Sequence, residues 1–104
     1  MAVPNYETIM WEKEMKEQIL SHARILYADK ITPTSILDVI STESSDQSYT
    51  SYTSYIIMIE APGSTAYKAL RRTKRKDSVG DGLITLLRYL RLRLTRHLGM
   101  SGYT

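Results

Sequence analysis

Positively charged side chains are the residues of this chain best suited to chemistry. Five of the six residues at 71–76 are lysine or arginine, and four more arginines lie between positions 88 and 96. Such a run is typical of a surface that binds phosphates, or of a nuclear-import signal. A solvated helix surface explains it less well, because like charges repel along a bare helix. We predict an anion-binding surface made of Lys68, Arg71, Arg72, Lys74, Arg75, Lys76, Arg88, Arg91, Arg93 and Arg96.

The charge is distributed unevenly along the 104 residues. Residues 1–62 contain four basic and nine acidic side chains, whereas residues 63–104 contain ten basic and two acidic ones. This asymmetry predicts an acidic or neutral scaffold that presents a basic face. The backbone of RNA or DNA, or another polyanion, would suit that face.

Leucines accompany the C-terminal arginines at helical spacing, at positions 83, 86, 87, 90, 94 and 98. Residues 90–94 also alternate between leucine and arginine, as in a half-buried strand, but the segment length favours an amphipathic helix over 83–98 that stops at Gly99. The arginines would then extend the basic surface or merely flank a packed leucine stripe. Two alternatives stay open: Leu90 and Leu94 could dock a protein partner, or the helix could lie on a membrane surface.

Aromatic residues and glycines give weaker functional signals. A set of four tyrosines could stack unpaired bases, although strand or loop tyrosines with partly buried rings are the simpler interpretation. These tyrosines are Tyr49, Tyr52, Tyr55 and Tyr67. Gly80-x-Gly82 lacks the third glycine of a dinucleotide-binding fingerprint and indicates a turn.

No pattern in the chain indicates catalysis. Cysteine is absent, which excludes a disulfide, a thiolate zinc site and a cysteine nucleophile. His22 and His97 have no second ligand at metal-binding spacing, and the nucleophile-elbow, P-loop and zinc-protease motifs are absent. We therefore expect a non-enzymatic protein without a metal or cofactor.

An amphipathic helix is predicted over residues 6–29, with Asn5 able to cap its first free N–H groups. Its apolar residues recur at spacings of three and four and would share one face. They are Trp11, Met15, Ile19, His22 and Leu26.

The next stretch is predicted to be a short helix followed by a loop. Thr32 and Pro33 resemble a helix start, because threonine can cap and proline suits the first helical position, so the helix would cover 33–41. Residues 42–48 contain no apolar side chain and are predicted to form a loop.

Aromatic and β-branched residues predict a central strand over 52–60, which the Pro-Gly pair at 62–63 would stop. The strand needs a pairing partner, either residues 66–72 in a hairpin or the same strand in a second copy, and the second option predicts a homo-oligomer. Ser64 could instead cap a helix. Residues 65–76 are therefore predicted to be a basic helix or strand, with the helix slightly favoured.

Together these elements predict a small single domain of the α+β class, mainly helical, with an N-terminal amphipathic helix, a central strand or hairpin and a basic C-terminal helix. No apolar run approaches the ~20 residues of a membrane span and no signal peptide is evident, so we expect an intracellular protein, cytoplasmic or nuclear and not secreted. The favoured function is a small accessory or regulatory protein that binds nucleic-acid backbone through its basic C-terminal half. On composition alone, the chain would also suit a viral accessory protein.

Overall fold

The computed structural model describes residues 6–46 and 48–98, which contain two helices and a three-stranded antiparallel sheet. In chain order the elements are α1 (Tyr6–Leu26), β1 (Ile36–Asp46), β2 (Tyr49–Ile59), β3 (Tyr67–Arg72) and α2 (Val79–His97). The α+β class is confirmed. Helix and strand are roughly balanced, however, so the expectation of a mainly helical chain is wrong.

Helix α1 confirms the predicted N-terminal helix but is shorter than the predicted 6–29 segment, because residues 27–30 form turns. Ile19 and Ala23 are its buried residues. The predicted apolar face is therefore the face that meets the core. The predicted capping residue, Asn5, lies outside the described residues.

Strand β1 occupies most of the segment predicted as a short helix over 33–41, and that prediction is wrong. The Ser35 N–H donates to the Thr32 carbonyl at 3.0 Å, so the Thr-Pro pair opens a turn and not a helix. Leu37 and Val39 are then buried while the residues between and beside them are more exposed. The β-branched residues of this segment favour that extended pairing, and over so few residues their spacing fits both helix and strand.

The predicted loop over 42–48 is wrong for most of its length. Residues 42–46 continue β1 in register with β2 up to the pair Asp46 and Tyr49. Main-chain hydrogen bonds between the strands hold this exposed polar ribbon together, and such bonds leave no apolar pattern in the sequence. Gln47 lies outside the described residues.

Strand β2 confirms the predicted strand over 52–60 and is the middle strand of the sheet. A tight turn follows, in which the Ser64 N–H donates to the Ala61 carbonyl at 3.1 Å and Gly63 has a φ of 83°, a conformation that suits glycine. The chain returns as β3, antiparallel to β2. The hairpin is therefore confirmed, and the favoured helix over 65–76 is wrong.

Both helices cover the same face of the sheet. Leu37 and Val39 of β1 and Ile56 and Met58 of β2 share one buried cluster with residues of α1 and α2. Because this cluster contains residues of α1, α2, β1 and β2, it fixes α2 against the sheet. Strand β3 lies beside α2.

Helix α2 confirms the predicted C-terminal amphipathic helix but begins four residues earlier, at Val79. Ser78 caps it, since the Ser78 hydroxyl accepts a hydrogen bond from the Asp81 N–H at 3.0 Å. Residues 80–82 thus belong to the first helical turn, and the prediction of a separate turn there is wrong. The spacing Ser78-x-x-Asp81 is typical of a helix N-terminus and indicates this start in the sequence. The predicted stop, Gly99, lies outside the described residues.

The leucine stripe of α2 faces the core. Leu90 is 0% exposed and Leu94 is 8% exposed. A partner could contact them only if the fold opened, so the interpretation of these two residues as a docking surface would require α2 to leave the core. Leu92, on the outer side of the helix, is 52% exposed.

Helix α2 comes close to strand β2 at Gly82, and an alanine at this position should destabilise the fold. A Cβ there would overlap the Ser54 hydroxyl and lie 3.2 Å from the Ser54 Cβ. Ser54 is fully buried, so the helix must shift against the strand to relieve the overlap. We expect Gly82→Ala to lower the free energy of unfolding by about 1–3 kcal/mol.

Gly80→Ala is the matched control for this substitution. A Cβ at Gly80 would meet the flexible Trp11 side chain at 3.4 Å, and alanine is the better helix former. Urea denaturation of the wild type and both variants checks the prediction. A Gly82→Ala protein as stable as Gly80→Ala would contradict the close contact with Ser54.

Candidate functional site

The densest part of the basic run, residues 71–76, is fixed to strand β2 through its backbone. Thr73 is buried; its N–H donates to the Ser54 carbonyl at 2.9 Å and its hydroxyl accepts from the Ser54 N–H at 3.2 Å. Lys76 and Tyr52 exchange two main-chain hydrogen bonds of 2.8 Å. The one uncharged residue of the run is thus the one that the fold buries.

The cationic side chains around Thr73 are accessible. Arg71, Arg72, Lys74 and Arg75 are exposed and Lys76 is half-buried. In the part of the chain that the structure describes, no carboxylate oxygen lies within 4.0 Å of their charged groups. Their charge is therefore not neutralised locally, and their mutual repulsion favours an added anion.

Helix α2 forms the second wall of a groove beside this run. One cleft of about 200 Å³ is lined by four cations of the run and, on α2, by Thr85 and Tyr89. A neighbouring cleft of about 300 Å³ shares Lys76 and Thr85 with the first and adds Arg88. We name the two together the basic groove, with the residues Arg71, Arg72, Lys74, Arg75, Lys76, Thr85, Arg88 and Tyr89. Arg72 lines only its edge, because it pairs with Tyr55 of β2, which alternates with the core residue Ile56 and points away from the helices.

Tyr89 orients two arginines at one wall of the basic groove. The guanidinium carbon of Arg71 lies over the Tyr89 ring, 3.7 Å from its centroid, and that of Arg93 lies 6.0 Å from it. A cation above an aromatic ring is attracted by about 0.5–2 kcal/mol. The contact holds the Arg71 guanidinium beside the groove and links β3 to α2.

Tyr27 lies on the inner side of this arginine cluster. Burial raises the pKa of Tyr27 and the adjacent Tyr89 raises it further, while the positive charges of Arg71 and Arg93 act to lower it. Because the pKa of a free tyrosine is already about 10, Tyr27 is neutral at physiological pH. It therefore adds no negative charge to the basic groove.

Acidic residues mark one end of the basic groove. Asp77 and Asp81 line its larger cleft. Asp77 accepts a hydrogen bond from the Tyr49 hydroxyl at 2.8 Å, and this bond, together with the carboxylate charge, raises the pKa of Tyr49. An anion is therefore disfavoured near the start of α2 and favoured at the opposite end, beside Arg71 and Lys74.

The structure brings six of the ten predicted anion-binding residues together in the basic groove. Arg93 joins them through its contact with Tyr89. Arg96 is exposed and lies three residues further along α2, on the neighbouring turn of the same side. The cationic surface therefore continues along α2 toward its C-terminus.

Two of the predicted residues lie apart from the groove. The Arg91 Nη2 donates to Gln18 Oε1 on α1 at 3.2 Å, so Arg91 faces the other helix. Lys68 is exposed near the start of β3, away from the residues that line the groove.

Sequence reasoning missed Thr85 and Tyr89. Their spacing of four residues, continued by Arg93, indicates a shared helix side, but only the packing of α2 beside β3 shows that this side faces the basic run. The four tyrosines that were considered instead do not form one stacking platform. Tyr49 is bonded to Asp77, and Tyr67 is 65% exposed near the start of β3.

Within residues 6–46 and 48–98, no group of three or more histidine, aspartate or glutamate side chains is placed to hold a metal ion. Neither helix in the described part of the chain combines the length and the apolar character that are needed to cross a membrane.

No protein-family model, curated protein or solved structure matches the chain.

Proposed function

We propose that this chain is a non-enzymatic accessory or regulatory protein that binds the phosphate backbone of nucleic acid in the basic groove. The observation that carries the proposal is the set of five cations on a hydrogen-bonded backbone, beside Arg88 on α2, with no carboxylate pairing them in the described chain. Neutralising successive phosphates releases condensed counterions, which drives binding. The planar arginine fork suits phosphate oxygens because it donates two parallel hydrogen bonds.

Binding in this groove should depend little on base sequence. Base edges are read mainly by bidentate side chains such as asparagine and glutamine, or by arginine on guanine, set at defined positions in a groove of the duplex. The basic groove has neither amide, and its Thr85 hydroxyl already donates to the Asp81 carbonyl at 2.8 Å. Contacts to phosphates position a protein without specifying sequence.

The charge distribution also indicates which path the bound phosphate backbone takes over the protein surface. Asp77 and Asp81 disfavour phosphates near the start of α2. Arg93 and Arg96 extend the positive surface toward the other end of the helix. Each residue advances this surface along the helix axis by about 1.5 Å. We infer that the backbone runs from the Arg71 end of the groove along α2 toward its C-terminus.

Fluorescence anisotropy with labelled RNA and DNA oligonucleotides tests the proposal. Across about 50–200 mM salt, the logarithm of the association constant should fall linearly with the logarithm of the salt concentration, by about 0.7–0.9 for each phosphate neutralised. Five contacts give a slope of roughly −3.5 to −4.5. RNA and DNA of unrelated sequence should bind with similar affinity.

Absence of binding at the lowest salt would contradict the proposal. Vesicles that contain anionic lipid are the comparison arm of the experiment, because a membrane surface also attracts basic residues. Co-sedimentation with such vesicles, without any oligonucleotide binding, would favour the peripheral-membrane alternative instead.

A further inference from the structure

The face of the sheet opposite the helices carries apolar side chains that none of the described elements covers. Residues paired across antiparallel strands point to the same side, and successive residues of a strand alternate. The pairings therefore assign six large apolar residues to this open sheet face: Ile36, Ile40, Tyr55, Ile57, Ile59 and Tyr67. None of them packs in the core cluster with the helices.

Water reaches a substantial part of this open sheet face. Ile36 is 42% exposed and Tyr67 is 65% exposed, while Ile57, in the middle, is shielded by its neighbours at 6%. A contiguous apolar patch rimmed by polar groups is typical of an interaction surface, because covering it removes apolar area from water.

One acidic and one basic side chain flank this patch. Asp38 on β1 pairs with Ile57 across the sheet, and Arg72 on β3 pairs with Tyr55. The two charges therefore lie on the same face, on opposite edge strands, with the apolar residues of β2 between them. Both are exposed, and neither forms an ion pair within the described chain.

We propose that the open sheet face is a self-association surface on which a second copy of this chain stacks sheet against sheet. In a two-fold dimer the same patch meets itself, so each contact occurs twice. A two-fold axis that lies between the two sheets, oblique to the strands and passing over β2 between Tyr55 and Ile57, places Asp38 of each copy opposite Arg72 of the other. The patch is thus complementary to itself in charge as well as in apolar character, which favours a second copy over an unrelated partner.

The size of the patch sets the expected strength of the dimer. Strands about 4.8 Å apart that rise about 3.3 Å per residue make a face of roughly 14 by 20 Å. Such a face, roughly 280 Å² in each copy, is smaller than the ~800 Å² per partner of a standard interface, so we expect a weak dimer with a dissociation constant of about 0.1–1 mM. Because the helices lie on the opposite side of the sheet, Tyr89 and Arg88 stay accessible in this dimer. The inference does not depend on the proposed function, although Arg72 also lines the edge of the basic groove, and the dimer is therefore measured without nucleic acid.

Sedimentation equilibrium of the full chain, without nucleic acid and over about 10 μM to 1 mM, tests this inference. The wild type should dimerise. Asp38→Arg and Arg72→Asp should each weaken the dimer by about tenfold or more, because each places like charges opposite one another. The double variant carrying both substitutions restores opposite charges and should dimerise nearly as well as the wild type. Leu92→Lys, which changes an exposed residue on the outer side of α2, is the control and should leave the dimer intact.

A wild type that stays monomeric over the whole range would overturn the inference. So would a double variant no stronger than the single ones, because a loss of folding, unlike a loss of charge pairing, is not rescued by the exchange. Equal weakening by Leu92→Lys would place the interface on the helical side.

Discussion

Changing Arg71, Arg72, Lys74, Arg75 and Lys76 together to serine should weaken nucleic-acid binding by roughly three to four orders of magnitude at low salt. A pair of unit charges about 4 Å apart contributes roughly 1 kcal/mol in water-like surroundings, and about 1.4 kcal/mol corresponds to a tenfold change in affinity. Loss of five such pairs accounts for the expected effect. Anisotropy of the same oligonucleotides measures it.

The variant should stay folded, which keeps this result interpretable. Its five positions are exposed or half-buried, and Thr73, whose backbone and hydroxyl anchor the run to Ser54, is unchanged. Circular dichroism and a thermal melt supply the control. Wild-type affinity in a folded variant would mean that nucleic acid, if bound, contacts another surface.

The second large effect concerns stability. Leu90→Ala should lower the free energy of unfolding by about 2–5 kcal/mol, because it removes a fully buried side chain and leaves a cavity among well-packed neighbours. Leu92→Ala, two residues away on the exposed side of α2, should change stability by no more than about 0.5 kcal/mol. Chemical denaturation of the two variants measures the difference.

This comparison also tests the alternative that the leucine stripe docks a protein. If Leu90 belongs to the core, any loss of binding in Leu90→Ala should follow the loss of folded protein. A variant that is as stable as the wild type but fails to bind a partner would show that Leu90 lies on a surface, contrary to the packing described above.

Periodicity predicted the two long helices because each carries an apolar face over many turns. The stripe through Ile19 and the leucines at 83–94 are the parts of the sequence with the longest regular spacing, and both face the core. The first and last residues of these helices were harder to predict. Ser78 starts α2 through a hydrogen bond that the Ser-x-x-Asp spacing indicates, but two glycines in the same turn suggested a break.

Strand β1 could not be predicted from local pattern. Its first half has too few residues for helical and strand spacing to differ, and its second half, residues 42–46, is polar on both faces. What holds this strand is main-chain pairing with β2 over its full length, from Ile36 to Asp46. Main-chain pairing does not require apolar side chains and so leaves no apolar pattern in the sequence, which is why the prediction of a helix and a loop was wrong.

The sequence predicted which cations form the basic groove better than it predicted how they are arranged in space. Charge alone indicated residues 71–76, and six of the ten predicted cations do line one groove. Whether the arginines of α2 face that run depends on the rotation of the helix, which the buried leucines set. That rotation turns Arg88 and Arg93 toward the run and Arg91 toward Gln18 on α1.

The most direct test of the account compares two variants with the same net charge. One changes Lys74, Arg75 and Lys76 to serine; the other changes Lys13, Arg24 and Lys30, three exposed cations outside the groove, to serine. If the basic groove binds the backbone, the salt dependence of the association constant should become shallower by about 2–3 in the first variant, at roughly 0.7–0.9 per lost contact, and stay as in the wild type in the second. The same change in both would contradict the account, because net charge and not the groove would then determine binding.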